Sequence, residues 1–189
     1  GIPCTDYKDD LIIPGLTDLH VHAPQYTFRA SGMDLELLDW LNTYAFPQEA
    51  RYENLEFARS AYSIFAEDMK KSPNTRACIF GTLHVPATEL LMELMDKTGL
   101  KTMIGKVNMD RNGSPILQET SAEASAQATV AWIEDTLNRF ENTMPILTPR
   151  FTPACTDQLM AKLSQIQKKY HLPMQSHLSE NFGEIEWVK

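Results

Sequence analysis

The chain has 189 residues, of which 43% are hydrophobic and 22% charged, with a net charge of −8 and a pI near 5.1. This composition is typical of a folded globular protein and excludes a disordered chain. The acidic balance disfavours nucleic acids and anionic membranes as partners, because both would repel it. Small neutral ligands remain compatible with it.

The cysteines and the hydropathy profile bear on the cellular compartment. Cys4, Cys78 and Cys155 are far apart and show no Cys-x-x-Cys spacing, which predicts reduced, mostly buried thiols rather than disulfides or a zinc ribbon. No stretch approaches the roughly 18 apolar residues of a membrane helix. The N-terminus shows no signal-peptide pattern. Together these features predict a cytoplasmic protein.

Strand-like and helix-like patterns alternate along the chain. Short apolar runs predict five strands, at 16–22, 76–82, 101–109, 145–148 and 172–177. Apolar residues spaced by three and four predict helices at 55–69, 90–95, 126–140 and 159–170, with another beginning after 180. Thr120 and Glu123 have the spacing of a capping box and predict the start of the third helix.

The stretch 23–53 lacks a sustained pattern. We expect it to be irregular, apart from a short amphipathic piece around Leu35, Leu38 and Leu41. A connection of this length is usually functional, as a lid or a substrate loop. Trp40, Tyr44 and Phe46 within it have two interpretations, a lid over a ligand or ordinary packing.

Five repeats of strand and helix predict a parallel sheet with crossover helices. A TIM-type (β/α)8 barrel needs about 250 residues. We therefore expect residues 1–189 to form about the first five β/α units of one α/β barrel domain. A doubly wound open sheet is the alternative, but no Gly-rich phosphate loop follows the first strand.

The first strand carries the clearest chemical signal. It follows a Pro-Gly turn and reads Leu-Thr-Asp-Leu-His-Val-His, ending at His20 and His22. Side chains two residues apart on a strand share a face, so both imidazoles can bind one metal ion. The alternative is a pair of ordinary polar residues.

Further polar residues follow later strands, at the end of a parallel barrel where catalytic groups lie. Arg150 and Phe151 follow the fourth strand, and His177 and Glu180 follow the fifth. Three histidines, His20, His22 and His177, would lie together at this end of the barrel, and zinc binds imidazole. Glu180 is placed to transfer protons beside the metal. The alternatives are a surface ion pair for Arg150 and a solvated helix-start carboxylate for Glu180.

Several segments, in order along nearly the whole chain, resemble the guanine deaminase family of the amidohydrolase superfamily. The first is Pro-Gly-Leu-Thr-Asp-Leu-His-Val-His itself, which occurs throughout the superfamily. The segments that narrow the resemblance are 22–26, 38–41, 44–47, 105–110, 147–151 and 175–181.

The resemblance implies a zinc-dependent hydrolytic deamination of guanine to xanthine and ammonia by a homodimer. It implies one Zn²⁺ per site, held by His20, His22 and His177. Gln25, Arg150 and Phe151 would bind the purine, with Arg150 bonding to ring heteroatoms and Phe151 stacking on the base. Glu180 would carry a proton from the attacking water to a ring nitrogen.

The sequence also departs from the family. Its members carry a further histidine ligand after the sixth strand, an aspartate after the eighth, and a small β-sandwich beside the barrel. These residues contain none of those features, so we expect this chain to be part of a longer protein and inactive alone.

Two other functions stay open. A related amidohydrolase could deaminate another aminated heterocycle, such as 8-oxoguanine, cytosine or a triazine. A non-catalytic barrel could retain the fold for assembly, although such proteins usually lose their metal ligands. His84 and His171 are interpreted as structural, the latter at a helix C-terminus.

Overall fold

A four-stranded parallel sheet forms the centre of the protein, in a computed structural model that describes residues 1–189. Its strands are β1, β2, β3 and β5, neighbours in that order. The two-residue strands β4 and β6 pair in parallel and continue β3 and β5 after short breaks. The strand bounds are β1 Leu16–His22, β2 Asn74–Phe80, β3 Lys101–Gly105, β4 Val107–Asn108, β5 Thr143–Pro145 and β6 Thr148–Pro149.

The predicted fifth strand is present only in part. Residues 172–177 form single parallel bridges, Leu147 with Met174 and Phe151 with His177, instead of a continuous ladder. Pro173 has no N–H to donate to a ladder, which interrupts regular pairing. The segment still lies beside β6, because the amide of His177 donates to the carbonyl of Arg150 over 3.1 Å.

Crossover helices follow the strands as predicted. The apolar spacing at 55–69 becomes a helix of 17 residues, and the other predicted helices are also present. The helices are α1 Leu37–Trp40, α2 Phe46–Ala50, α3 Leu55–Lys71, α4 Val85–Asp96, α5 Ala122–Thr136, α6 Asp157–Tyr170 and α7 Phe182–Val188. This alternation confirms the α/β class with parallel strands.

The stretch 23–53 is more regular than predicted. A 3-10 turn at Ala23–Phe28 opens it, and turns follow at 29–34. From residue 37 to 53, a π turn at Leu41–Ala45 and a 3-10 turn at Arg51–Glu53 connect with α1 and α2 into one run of short helical segments. Pro24 and Pro47 lie in first turns, where a missing N–H is tolerated. Each change of helical pitch breaks the 3.6-residue period, so the apolar residues of this stretch show no sustained helical spacing.

The predicted capping box of α5 is wrong by one residue. Ser121, not Thr120, is the N-cap, and its hydroxyl accepts from the amide of Ala124 over 3.1 Å. Glu123 instead bonds to Gln127 and Lys162 on the surface. A serine directly after a threonine offers two equivalent caps, and spacing alone does not separate them.

The larger core lies between the sheet and its crossover helices, with Ile79 and Ile104 from the strands packed against Phe65, Leu91 and Ile133. A smaller cluster lies toward the C-terminal ends of the strands and contains Phe46, Phe80, Val107, Met109 and Phe151. The second cluster supports the polar residues that follow the strands.

The three cysteines are free thiols, as predicted, although Cys4 is exposed, Cys78 half-buried and only Cys155 fully buried. None of the helices combines the length and apolar character needed to cross a membrane.

Candidate metal centre

Three histidines converge at the C-terminal end of the sheet. His20 and His22 come from β1, and His177 comes from the extended segment beside β6. One ring nitrogen from each lies within 4.8 Å of the others, and Nε2 of His22 lies 2.9 Å from Nε2 of His177. Nitrogens that share a tetrahedral zinc ion lie about 3.3 Å apart. The cluster therefore fits one metal ion.

Phe80 forms the base of this cluster. It is fully buried at the end of β2, and its ring centroid lies 4.9, 4.4 and 4.6 Å from those of His20, His22 and His177. The pairing of β1 with β2 is irregular between Asp18 and Val21, where β1 contains one extra residue. Such bulges often re-aim side chains beside functional sites.

The ring orientation of His177 is set by the backbone. Its Nδ1 lies 2.6 Å from the carbonyl oxygen of Arg150. A carbonyl can only accept, so Nδ1 carries the hydrogen and the lone pair lies on Nε2. A hydrogen bond of this kind orients a histidine ligand and fixes its tautomer.

Burial favours the neutral form of two of these imidazoles. It lowers the pKa of His22 well below its usual value, and the nearby positive charge of Arg150 acts in the same direction. Burial also lowers the pKa of His177. Neutral imidazole is the form that binds metals.

A cavity of about 230 Å³ opens beside the histidines. This volume lies below the range of about 300–1,000 Å³ that is typical of drug-sized ligands, so it suits a compact one. All seven residues predicted to hold the metal, bind the purine or carry the proton line it. The lining is His20, His22, Gln25, Leu37, Trp40, Leu41, Arg150, Phe151, His177 and Glu180.

Arg150 does not form the surface ion pair considered above. It is only 2% exposed, and its Nη1 and Nη2 donate to Oε2 and Oε1 of Glu49 over 2.6 and 3.0 Å. Nε2 of Gln25 donates to the same Oε1 over 3.0 Å. Glu49 is therefore a residue of the site that the sequence did not reveal. Its signal is faint: a carboxylate two residues after Pro47, beside other polar residues.

Glu180 is exposed, and its backbone is firmly held. The buried carboxylate of Glu184 accepts from the amides of Ser179 and Glu180 over 3.1 and 2.6 Å. Ser179 has a positive φ of 55°, an uncommon conformation that is found near functional sites. The sequence did offer a signal for Glu184, because Asn181 and Glu184 have capping-box spacing.

Of the remaining residues that the sequence singled out, some line the cavity or support it and others lie away from it. Trp40 lines the cavity and donates its Nε1–H to the carbonyl of Ser31 over 2.8 Å. Phe46 packs beneath the guanidinium of Arg150, and Tyr44 does not line the cavity. His84 and His171 also lie outside it, and His171 ends α6 in a left-handed conformation.

Residues 11–189 match the Amidohydrolase family, and the chain belongs to that family. More narrowly, it is a homologue of guanine deaminases. It is 41% identical to the guanine deaminase of Rattus norvegicus over 95% of this chain and 40% of that protein.

Two solved structures extend the comparison. The guanine deaminase of C. acetobutylicum, determined with guanine bound in its active site, is 43% identical. It superposes with a TM-score of 0.96 over 100% of this chain and 45% of that one. An adenosine deaminase from Xanthomonas campestris with bound zinc shares the fold at 18% identity, with a TM-score of 0.76 over 93% of this chain and 38% of that one. The chain thus spans less than half the length of these relatives.

Proposed function

We propose that this chain provides the metal-binding and purine-binding part of a zinc-dependent guanine deaminase. The observation that carries the proposal is the convergence of three histidines, Gln25, Arg150, Phe151 and Glu180 around one small cavity. The likeness to a deaminase whose structure holds guanine supports the choice of substrate.

His20, His22 and His177 would hold the metal. Three imidazoles without a cysteine suit a catalytic zinc site, and a zinc ion supplies a nucleophilic water at neutral pH by lowering its pKa to about 7. The bond from His177 Nδ1 to the carbonyl of Arg150 leaves Nε2 free to face the ion. The resemblance adds a histidine and an aspartate from later strands to this set.

The other residues of the cavity bind and orient the base. Arg150 presents N–H donors to the purine's acceptor atoms, and Phe151 offers its ring for stacking. Glu180 accepts a proton from the attacking water and delivers it to a ring nitrogen. Water adds to the carbon that bears the amino group, and its second proton passes to the amino group. Ammonia then leaves, the carbon becomes a carbonyl, and xanthine remains.

A substrate panel tests this function. The zinc-loaded full-length protein should convert guanine to xanthine and release one ammonia per turnover. Turnover of cytosine, 8-oxoguanine or a triazine without turnover of guanine would instead favour a related deaminase. A purified protein that holds no zinc and turns over none of these bases would favour the non-catalytic alternative.

Glu180→Gln tests whether Glu180 carries a proton or binds the metal. The variant should keep its zinc, measured by atomic emission, while kcat falls at least about 100-fold, the usual range for loss of a general acid or base. Loss of zinc with activity retained would mean that the two roles are exchanged. His22→Ala should abolish stoichiometric zinc binding, because it removes one of the ligands of the ion.

A homodimer and a cytoplasmic location are parts of the same proposal. Light scattering on the purified protein measures the first, and fractionation of the source cells measures the second.

A further inference from the structure

We propose that Glu49 is a positioning residue that sets both the hydrogen-bonding pattern and the charge of the purine site. This inference rests on the proposed function, since it concerns how Arg150 and Gln25 meet the base. Glu49 is 1% exposed and does not line the cavity, whereas both of its partners do. It would therefore act on the ligand only through them.

The first effect is on Arg150. A guanidinium has five N–H donors, and the pair with Glu49 uses one on each Nη. The ring of Phe46 covers the guanidinium, with its centroid 5.0 Å from the central carbon. The carboxylate and the ring together fix the plane of the side chain. Three N–H donors are left over, and their directions are fixed before any base arrives.

The second effect is on Gln25. A carboxylate can only accept hydrogen bonds, so the nitrogen of the Gln25 amide must face Glu49. This contact assigns the amide and leaves its oxygen as the free acceptor. The site then offers donors from Arg150 and an acceptor from Gln25. A base that carries both a carbonyl and N–H groups, as guanine does, matches this pair.

The third effect is electrostatic. A buried guanidinium without a counter-ion would attract anions strongly, because the low dielectric of the interior screens charge poorly. The paired carboxylate makes the Arg150–Glu49 unit neutral overall. The site can therefore donate hydrogen bonds without drawing in anions. Xanthine is more acidic than guanine, so its anion is the ligand that this neutral pair disfavours.

Glu49→Gln tests the inference, because it keeps the shape of the side chain and removes its charge. In the zinc-loaded full-length protein, KM for guanine should rise about tenfold while kcat stays within about threefold, the pattern of lost ground-state binding. Inhibition by xanthine should be measured at a pH where xanthine is anionic. Its affinity relative to guanine should increase about tenfold.

Glu53→Gln is the matched control, since this exposed carboxylate lies four residues further along the same segment. It should leave KM and the xanthine-to-guanine affinity ratio unchanged. A purely structural role for Glu49 would lower the melting temperature and the active fraction, but would not move that ratio. An unchanged ratio in a folded Glu49→Gln protein overturns the inference.

Glu49→Asp covers the case in which the glutamine variant does not fold. It keeps the charge and withdraws the carboxylate by one methylene, so KM should rise while the affinity ratio stays at its wild-type value. An unchanged KM, or a changed ratio, overturns the inference. A wild-type protein that does not turn over guanine would instead refute the proposed function.

Discussion

Phe80 shows how a single apolar residue supports a polar site. Its ring contacts all three histidines, and its burial at the end of β2 places an apolar surface against one side of the cluster. The histidines come from segments 155 residues apart in the chain. A shared apolar surface holds their rings at fixed angles, which reduces the freedom that they lose when they bind an ion.

Phe80→Leu should weaken zinc binding by about tenfold, in the range found for residues that support metal ligands. The substitution leaves the three ligands intact and should lower stability by about 1 kcal/mol. Phe65→Leu is the matched control, because Phe65 is equally buried but packs in the larger core. Competition with a chelator measures the affinity. Equal zinc affinity in both variants would show that Phe80 only fills space.

Each of the long helices α3, α5 and α6 begins at a single residue whose side chain caps it. The hydroxyl of Ser121 caps α5, the side chain of Asn54 caps α3 and that of Thr156 caps α6. α7 has a more complex start, where Asn181 caps the helix and Glu184 reaches back to hold the Glu180 backbone. The local sequence thus both ends the last strand segment and positions a candidate catalytic residue.

Ser121→Ala should destabilise the protein by about 1 kcal/mol, because it removes the acceptor for an otherwise unpaired amide of α5. Thr120→Ala should change stability by less than about 0.5 kcal/mol, as expected for a residue outside the cap. Urea unfolding of both variants measures the difference. The reverse order would restore the capping box predicted from the sequence.

The elements that could be predicted are those whose signal is local. α3 and α6 show a sustained apolar period, and β1 directly follows a Pro-Gly turn, so their bounds agree with prediction to within a few residues. The helical turns at 23–53 change pitch several times, and Pro173 interrupts the last strand. The changes of pitch depend on contacts between distant segments, which periodicity does not record. The break at Pro173 is local, because proline has no N–H to donate to a ladder.

For the whole molecule, parallel topology gathers the site from distant residues. All strands have their C-terminal ends at the same end of the sheet, so residues at the ends of β1, β6 and the last extended segment meet there. This rule is why His20, His22, Arg150 and His177 could be placed together from the sequence. Glu49 could not be placed with them from the sequence, because it lies in a connecting helix whose position against the sheet is set by tertiary packing alone.

The buried thiol of Cys155 makes the free energy of unfolding fall as the pH rises above 9. Cys155 is 1% exposed, and burial raises its pKa from 9.0 to about 12. The folded thiol therefore keeps its proton in a range where the unfolded thiol loses it. The stabilisation is complete below pH 9 and declines as pH rises from 9 to 12. At pH 10, which is one unit above the pKa of the unfolded thiol, the loss is about 1.4 kcal/mol.

Urea unfolding at pH 8 and pH 10 tests this dependence in the wild type and in Cys155→Ala. The wild type should lose about 1.4 kcal/mol more than the variant between the two values. Tyr52, whose pKa burial raises to about 12, contributes a smaller loss with the same sign to both proteins. Cys4→Ala is the control, because that thiol is exposed and should leave the wild-type slope unchanged. Parallel declines in the wild type and Cys155→Ala would mean that this thiol ionises as readily in the folded protein as in the unfolded chain.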